Sequence, residues 1–128
     1  MKRYRLGLRT LGFAAAVLLA STAALAGFRT AQQVVISDTA QFANGDLGYI
    51  YNTDDLTQYM GCVSYNTAGN CYAKDRTGLT RSCSTSDPNL LAVIRSLNND
   101  SWLIFYWDTS GRCTFIEVEN SSMVPPKR

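Results

Sequence analysis

The sequence predicts an α+β domain: a mainly antiparallel β-sheet with one α-helix at about residues 87–98, stapled by two disulfides. Three features carry that prediction. Short runs of β-branched and aromatic residues recur between Gly, Asn and Asp turns, as half-buried strands do. A single segment places apolar residues at helical spacing behind an Asp-Pro start. Four cysteines, an even number, sit in a short chain that opens with an export-type leader.

The leader covers residues 1–26. Lys2, Arg3, Arg5 and Arg9 form a basic stretch without acids, residues 11–20 are apolar, and Ala24-Leu25-Ala26 fits the small-residue cleavage pattern. The apolar run is short for a membrane span, which needs about 20 residues. A cleaved signal peptide is expected, leaving residues 27–128 as one secreted domain, in the periplasm or the medium, with no stable membrane insertion. The Ala-rich leader points to a bacterial source. Its loss reverses the sign of the charge: eight Lys and Arg remain against ten Asp and Glu, a net of −2. Nucleic-acid binding is disfavoured, because it draws on a positive field. Lys74, Arg76 and Arg81, around Gly78 and beside Tyr72, read as a solvated loop.

Cys62, Cys71, Cys83 and Cys113 allow three connectivities. Cys62–Cys71, closing a hairpin, and Cys83–Cys113, tying a helix to a strand, are favoured. By chain entropy they contribute about 2.7 and about 3.7 kcal/mol, large against a total stability of roughly 5–15 kcal/mol. A zinc or redox site is disfavoured, since the chain holds no His and no Cys-x-x-Cys.

Residues 32–36 read as the first strand. Residues 41–43 and 47–51 read as a hairpin about Asn44-Gly45, a pair suited to a type I′ turn. Residues 52–57 form a polar loop or short helical turn. Strands are expected over 59–65 and 71–74, with a turn at 75–78. Asp87 is a good N-cap and Pro88 suits the first helical position. Leu90, Leu91, Ile94 and Leu97 then share a helix face, and Asn98-Asn99 ends it. Residues 101–107 and 112–119 form the clearest hairpin. With a four-residue loop at 108–111, Trp107 opposes Arg112. One face then carries Leu103, Phe105, Thr114 and Ile116, and the other Trp102, Ile104, Tyr106, Cys113 and Phe115. Cys113 lays the helix on the second face. Residues 124–128 read as a short extended tail.

Without His, imidazole general bases, Ser–His and Cys–His nucleophiles and His-ligated zinc are excluded. No Gly-x-Ser-x-Gly, P-loop or dinucleotide fingerprint follows the leader, and no cofactor or metal is implied. Asp54 and Asp55 lack the calcium-loop pattern. Glu117 and Glu119 share a strand face, as a glycosidase carboxyl pair does, but a charged strand end is the far commoner arrangement and is the favoured reading. Asp108 reads as a turn former. Tyr49, Tyr51, Tyr59, Tyr65, Tyr72, Trp102, Tyr106 and Trp107 are many aromatics for the length. Tyr49 and Tyr51, same-facing in a polar-flanked strand, are the candidate binding residues.

Gly45-Asp46-Leu47-Gly48, Gln58-Tyr59-Met60-Gly61-Cys62, Arg81-Ser82-Cys83 with Ser86-Asp87-Pro88, Trp107-Asp108, Cys113-Thr114 and the end around residues 120–127 carry a resemblance. Over most of residues 33–127 the chain resembles a group of small exported bacterial proteins without assigned activity, built on four cysteines. The resemblance implies export, the four-Cys framework and one domain, and no catalytic or binding residue. The expectation is therefore a secreted, non-enzymatic binding module for a partner protein or a cell-surface glycan. Two alternatives are a small hydrolase using Glu117, Glu119 and Asp108, and an inhibitor of a secreted enzyme presenting residues 66–70.

Overall fold

The run Trp-Leu-Ile-Phe-Tyr-Trp becomes strand β6 (Trp102–Trp107) in the computed structural model, which describes residues 29–128; the signal-peptide reading lies outside the described residues. Before β6 come β1 (Val35–Ser37), β2 (Phe42–Asp46), α1 (Leu47–Asn52), β3 (Tyr59–Ser64), β4 (Gly69–Lys74), β5 (Thr80–Thr85) and α2 (Pro88–Arg95). β7 (Cys113–Glu119) follows. Two antiparallel sheets form, one ordered β1-β2-β6-β7 and one ordered β3-β4-β5. The architecture is mainly antiparallel sheet with two helices and two disulfides, where one sheet and one helix were expected.

β6 is interior, as its two apolar faces require, while β7 is an edge. Its pairing departs from the expected register. Trp107 opposes Cys113 and Tyr106 opposes Phe115, so Thr114 is the extra residue of a β-bulge. One inserted residue flips the side-chain parity of a strand. Cys113 therefore points to the face of Leu103, Phe105, Trp107 and Ile116, opposite to the face assigned by simple counting. That face is the core, and Leu103 and Phe105 are completely buried.

The core continues onto the second sheet through Met60, Cys71, Ala73 and Cys83, and is completed by Leu91 and Ile94 of α2. The disulfides are Cys62–Cys71 and Cys83–Cys113, the favoured pairing. The first bridges directly opposed residues of β3 and β4. The second joins β5, an edge of one sheet, to β7, an edge of the other. Beside it the Ser84 N–H donates to Gly111 O at 3.0 Å. β5 was missed from the sequence. Its Thr-Arg-Ser-Cys-Ser-Thr string is held in place by β4 and the bridge, with Cys83 alone deeply buried.

Asn44-Gly45 is not a turn. Both residues lie inside β2, with Asn44 opposite Val35 and Ile104. The chain reverses earlier, at residues 38–41, where Gln41 adopts φ 54°. Gln carries no preference for that conformation, and the turn's local signal lies before it, where the Ser37 hydroxyl accepts the Ala40 N–H at 3.2 Å. Gly45 serves close packing instead: a Cβ there would sit 2.8 Å from Ile50 Cδ1. Residues 47–52 are helix α1, not a strand, and Ile50 is their buried apolar contact. Asp46, at its start, is completely buried and does not cap the helix. Its Oδ2 accepts the Gln32 N–H at 2.6 Å, and Oδ1 has no hydrogen-bond partner among the described residues.

α2 starts as expected: Asp87 Oδ1 accepts the N–H groups of Asn89 and Leu90. It ends at Arg95, earlier than the expected 98. The Ser96 hydroxyl takes the Val93 carbonyl at 2.7 Å, and Asn98 Oδ1 turns the chain by accepting the Asp100 N–H. The extended tail is tied down. Met123 O accepts the Thr30 N–H, Pro126 O accepts the Asn52 amide, and the Lys127 N–H donates to Asp100 Oδ1 at 2.8 Å. It crosses α1 at Gly48, where a Cβ would lie 1.9 Å from Pro125 O.

Gly48→Ala is expected to lift this strap, costing about 1–3 kcal/mol as overpacking does. Hydrogen exchange at the Lys127 amide should accelerate, and unchanged protection there refutes the assignment. Removing Cys83–Cys113 by paired Ser substitution should cost about 3–4 kcal/mol, against about 2–3 for Cys62–Cys71. Urea unfolding of the two variants checks the order.

Candidate functional site

The registers of β3, β4 and β5 arrange nine outward residues in three rows: Tyr59, Lys74 and Thr80; Gly61, Tyr72 and Ser82; Val63, Asn70 and Ser84. Alternation puts the next residues of each strand, Cys62, Cys71 and Cys83 among them, on the inner side. The core covers that inner side and leaves the outer side open. Apart from Gly61, every one of the nine is partly or fully exposed.

Tyr72 spans the middle row. A Cβ on Gly61 would stand 3.3 Å from Tyr72 Oη and 3.5 Å from Cζ, so the phenol rests over bare backbone. A side chain at position 61 would oblige the phenol end to give way by a few tenths of an ångström; over Gly it rests close to the backbone and stays 38 % exposed. Tyr59, 47 % exposed, meets it edge-on with centroids 6.0 Å apart. The Lys74 ammonium stands 5.9 Å from the Tyr59 centroid. Among the described residues, the Asn70 amide and the hydroxyls of Thr80, Ser82 and Ser84 hydrogen-bond to no other side chain or backbone group. They are free to donate and accept. Tyr59, Asn70, Tyr72, Thr80, Arg81 and Ser82 surround an open depression of about 570 Å³.

The expected candidates lie elsewhere. Tyr49 and Tyr51 are on α1, and two residues apart on a helix point about 200° from each other, so the shared face disappears with the strand. Both still line one notch with Pro125 and Arg128. Tyr51 is 59 % exposed, but the Lys127 ammonium sits 3.9 Å from its centroid and occupies that ring.

Glu117 and Glu119 do share a face of β7, opposite Ile104 and Trp102. Glu119 Oε1 accepts the Ser121 hydroxyl at 2.6 Å. Asp108 lies past the far end of β6 from Trp102, roughly 20 Å away at strand rise, so the three carboxylates do not converge. Asp108 Oδ1 instead takes the Ser110 hydroxyl and the N–H groups of Ser110 and Arg112, all within 3.0 Å. Asp55 accepts the Thr57 N–H and pairs with Arg76 at 3.2 Å. No group of three or more Cys, Asp or Glu placed to hold a metal occurs among the described residues.

The basic cluster divides. Arg76 is bound to Asp55 and Gln33, and Arg81 to Asp38 through both carboxylate oxygens, which leaves Lys74 without an ion-pair partner among the described residues. The expected inhibitor loop shrinks to a turn, because strand pairing resumes at Gly69; the Arg95 guanidinium braces it by donating to Tyr65 O and Asn66 O. A cleft of about 720 Å³ opens beside the start of α2, but the Asp87 carboxylate already occupies the helix N–H groups there. Among the described residues no helix is long and apolar enough to cross a membrane.

Compared with known proteins, the chain matches no family model, no curated protein and no solved structure.

Tyr59 and Tyr72 stood among the counted aromatics, but sequence reasoning did not single them out. The available signal was the alternation of Tyr59, Gly61 and Val63 beside Asn70, Tyr72 and Lys74. Ser82 and Ser84 were out of reach without β5.

Hydrogen bonds hold two turn carboxyls below the ordinary Asp value. For Asp75 the Thr77 hydroxyl contributes most, then the Leu79 and Thr77 N–H groups; for Asp108 the Ser110 hydroxyl leads, then the Arg112 N–H. A depressed carboxyl contributes stability that is complete above its unfolded value, about 3.9, and is lost as pH falls through the lower folded one. Asp108→Asn is therefore expected to flatten the acid side of the stability curve below about pH 4. Urea midpoints between neutral and strongly acidic pH check this, and a curve parallel to the native one contradicts it.

Proposed function

We propose that this chain is an exported, non-enzymatic binding domain that engages its partner outside the cytoplasm through the outer face of β3, β4 and β5. One observation carries the reading: an exposed tyrosine rests the phenol end of its ring over a glycine, beside hydroxyl and amide groups that have no protein partner among the described residues. A strand face that presents hydroxyl and amide groups beside an exposed ring is suited to contact, since each group can exchange its water for a partner's donor or acceptor. The disulfides and the export-type leader agree with an oxidising compartment. The hydrolase alternative asks for carboxylates converging on one cleft, and Asp108 stands a full strand length from Glu119.

Retention of the oxidised protein on washed cell-envelope fragments of its source tests the reading. Tyr72→Ala should weaken retention about tenfold, the scale of one well-stacked aromatic. Phe115→Ala, on the outer face of the other sheet, should leave it unchanged. Equal retention of Tyr72→Ala and the native protein, at matched unfolding midpoints, refutes the proposal.

A further inference from the structure

We infer that the partner of this face is an acidic carbohydrate, a chain of pyranoses bearing carboxylates; the inference rests on the binding role proposed above. A pyranose has an apolar C–H face and a rim of hydroxyls that both donate and accept. Its recognition asks for an open ring face with donor–acceptor groups one sugar's width away. Tyr72 supplies the ring, backed by Gly61 and open above, and Tyr59 adds a second ring beside it. Ser82 flanks Tyr72 in its own row, and Asn70 and Thr80 stand in the rows on either side. Amide and hydroxyl groups match a hydroxyl rim in kind, each able to give and to take.

A protein partner asks for something else: a contiguous apolar centre that loses all its water. The chain has a closer approximation to that on its other sheet. There Phe42, Tyr106 and Phe115 stand in a row with centroids 5.6 and 5.8 Å apart. On the outer face of β3–β5 the apolar groups are interrupted by Asn70, Ser82 and the bare Gly61.

Charge selects the kind of sugar. Of the nine outward residues Lys74 is the one that carries charge, and no carboxylate is among them. Arg76 and Arg81 at the margin are neutralised by Asp55 and Asp38. A sugar carboxylate therefore finds at Lys74 an ammonium without an ion-pair partner among the described residues. A single-stranded nucleic acid also stacks on rings, but its recognition asks for a groove of cations that follows successive phosphates, and the nine outward residues offer one cation at one end of the face.

Calorimetric titration of the oxidised protein tests the inference with hexasaccharides of galacturonate, mannuronate and alternating glucuronate–N-acetylglucosamine, against cellohexaose and hexathymidylate. At least one acidic hexamer should bind, at least about threefold tighter than cellohexaose, the scale of one exposed ion pair. Tyr72→Ala should cost about tenfold. Lys74→Gln should abolish both the acidic preference and its salt dependence. Absence of binding by all three acidic hexamers overturns the inference. So does cellohexaose or hexathymidylate binding as tightly, or an acidic preference that survives Lys74→Gln. The two proposals fail separately. Envelope retention that depends on Tyr72, survives periodate and is lost to protease removes the carbohydrate and keeps the binding role. Retention indifferent to Tyr72 removes the binding role itself.

Discussion

The bridge between Cys83 and Cys113 ties the edge of one sheet to the edge of the other, and the rest of the architecture depends on that join. Both sheets contribute to a single core cluster. The three-stranded sheet offers Met60, Cys71, Ala73 and Cys83 inward, and the four-stranded sheet offers Leu103, Phe105, Trp107 and Ile116. Joined, with α2 packed against β7 and β3, they share one core. The bulge at Thr114 is the geometric condition for this. Without it Cys113 points away from Cys83, and the sulfur faces the wrong side of β7.

The same join determines which surface stays open. Burying the inner side of β3–β5 turns its other side to water, and strand alternation then decides which residues appear there. Cys62 and Cys71 are bonded on the inner side, one residue along from Gly61 and Tyr72. The staple thus lies directly beneath the bed of the tyrosine ring. A face held this way has little conformational freedom left to lose on contact, which favours binding by preorganisation.

Much of the frame was legible from residue types. The Asp87–Pro88 start of α2 and the hairpin expected over 101–107 and 112–119 follow from local rules of capping and β-propensity, while the disulfide pairing was favoured among three connectivities that the sequence leaves open. The site was half legible. Tyrosines were recognised as candidates, but attention fell on Tyr49 and Tyr51, because Asn44-Gly45 matches a hairpin turn. In the folded chain Gly45 is needed small, beneath Ile50, and the helix that follows separates the two rings. β5 was invisible because its Thr-Arg-Ser-Cys-Ser-Thr string holds no large apolar residue and so no apolar alternation, and its pairing with β4 comes from contacts made across the fold.

The sequence by itself determined some local things: that the aromatic run at 102–107 extends, where α2 begins, that four sulfurs pair, and that imidazole chemistry is absent. Tertiary structure alone decided orientation. One bulge residue reversed the side to which Cys113 points, and one glycine let the Tyr72 phenol rest close to the backbone. These outcomes depend on what sits across a strand pair rather than along the chain. Periodicity reports the spacing of side chains within a segment, and it holds no information about which neighbour that segment will meet.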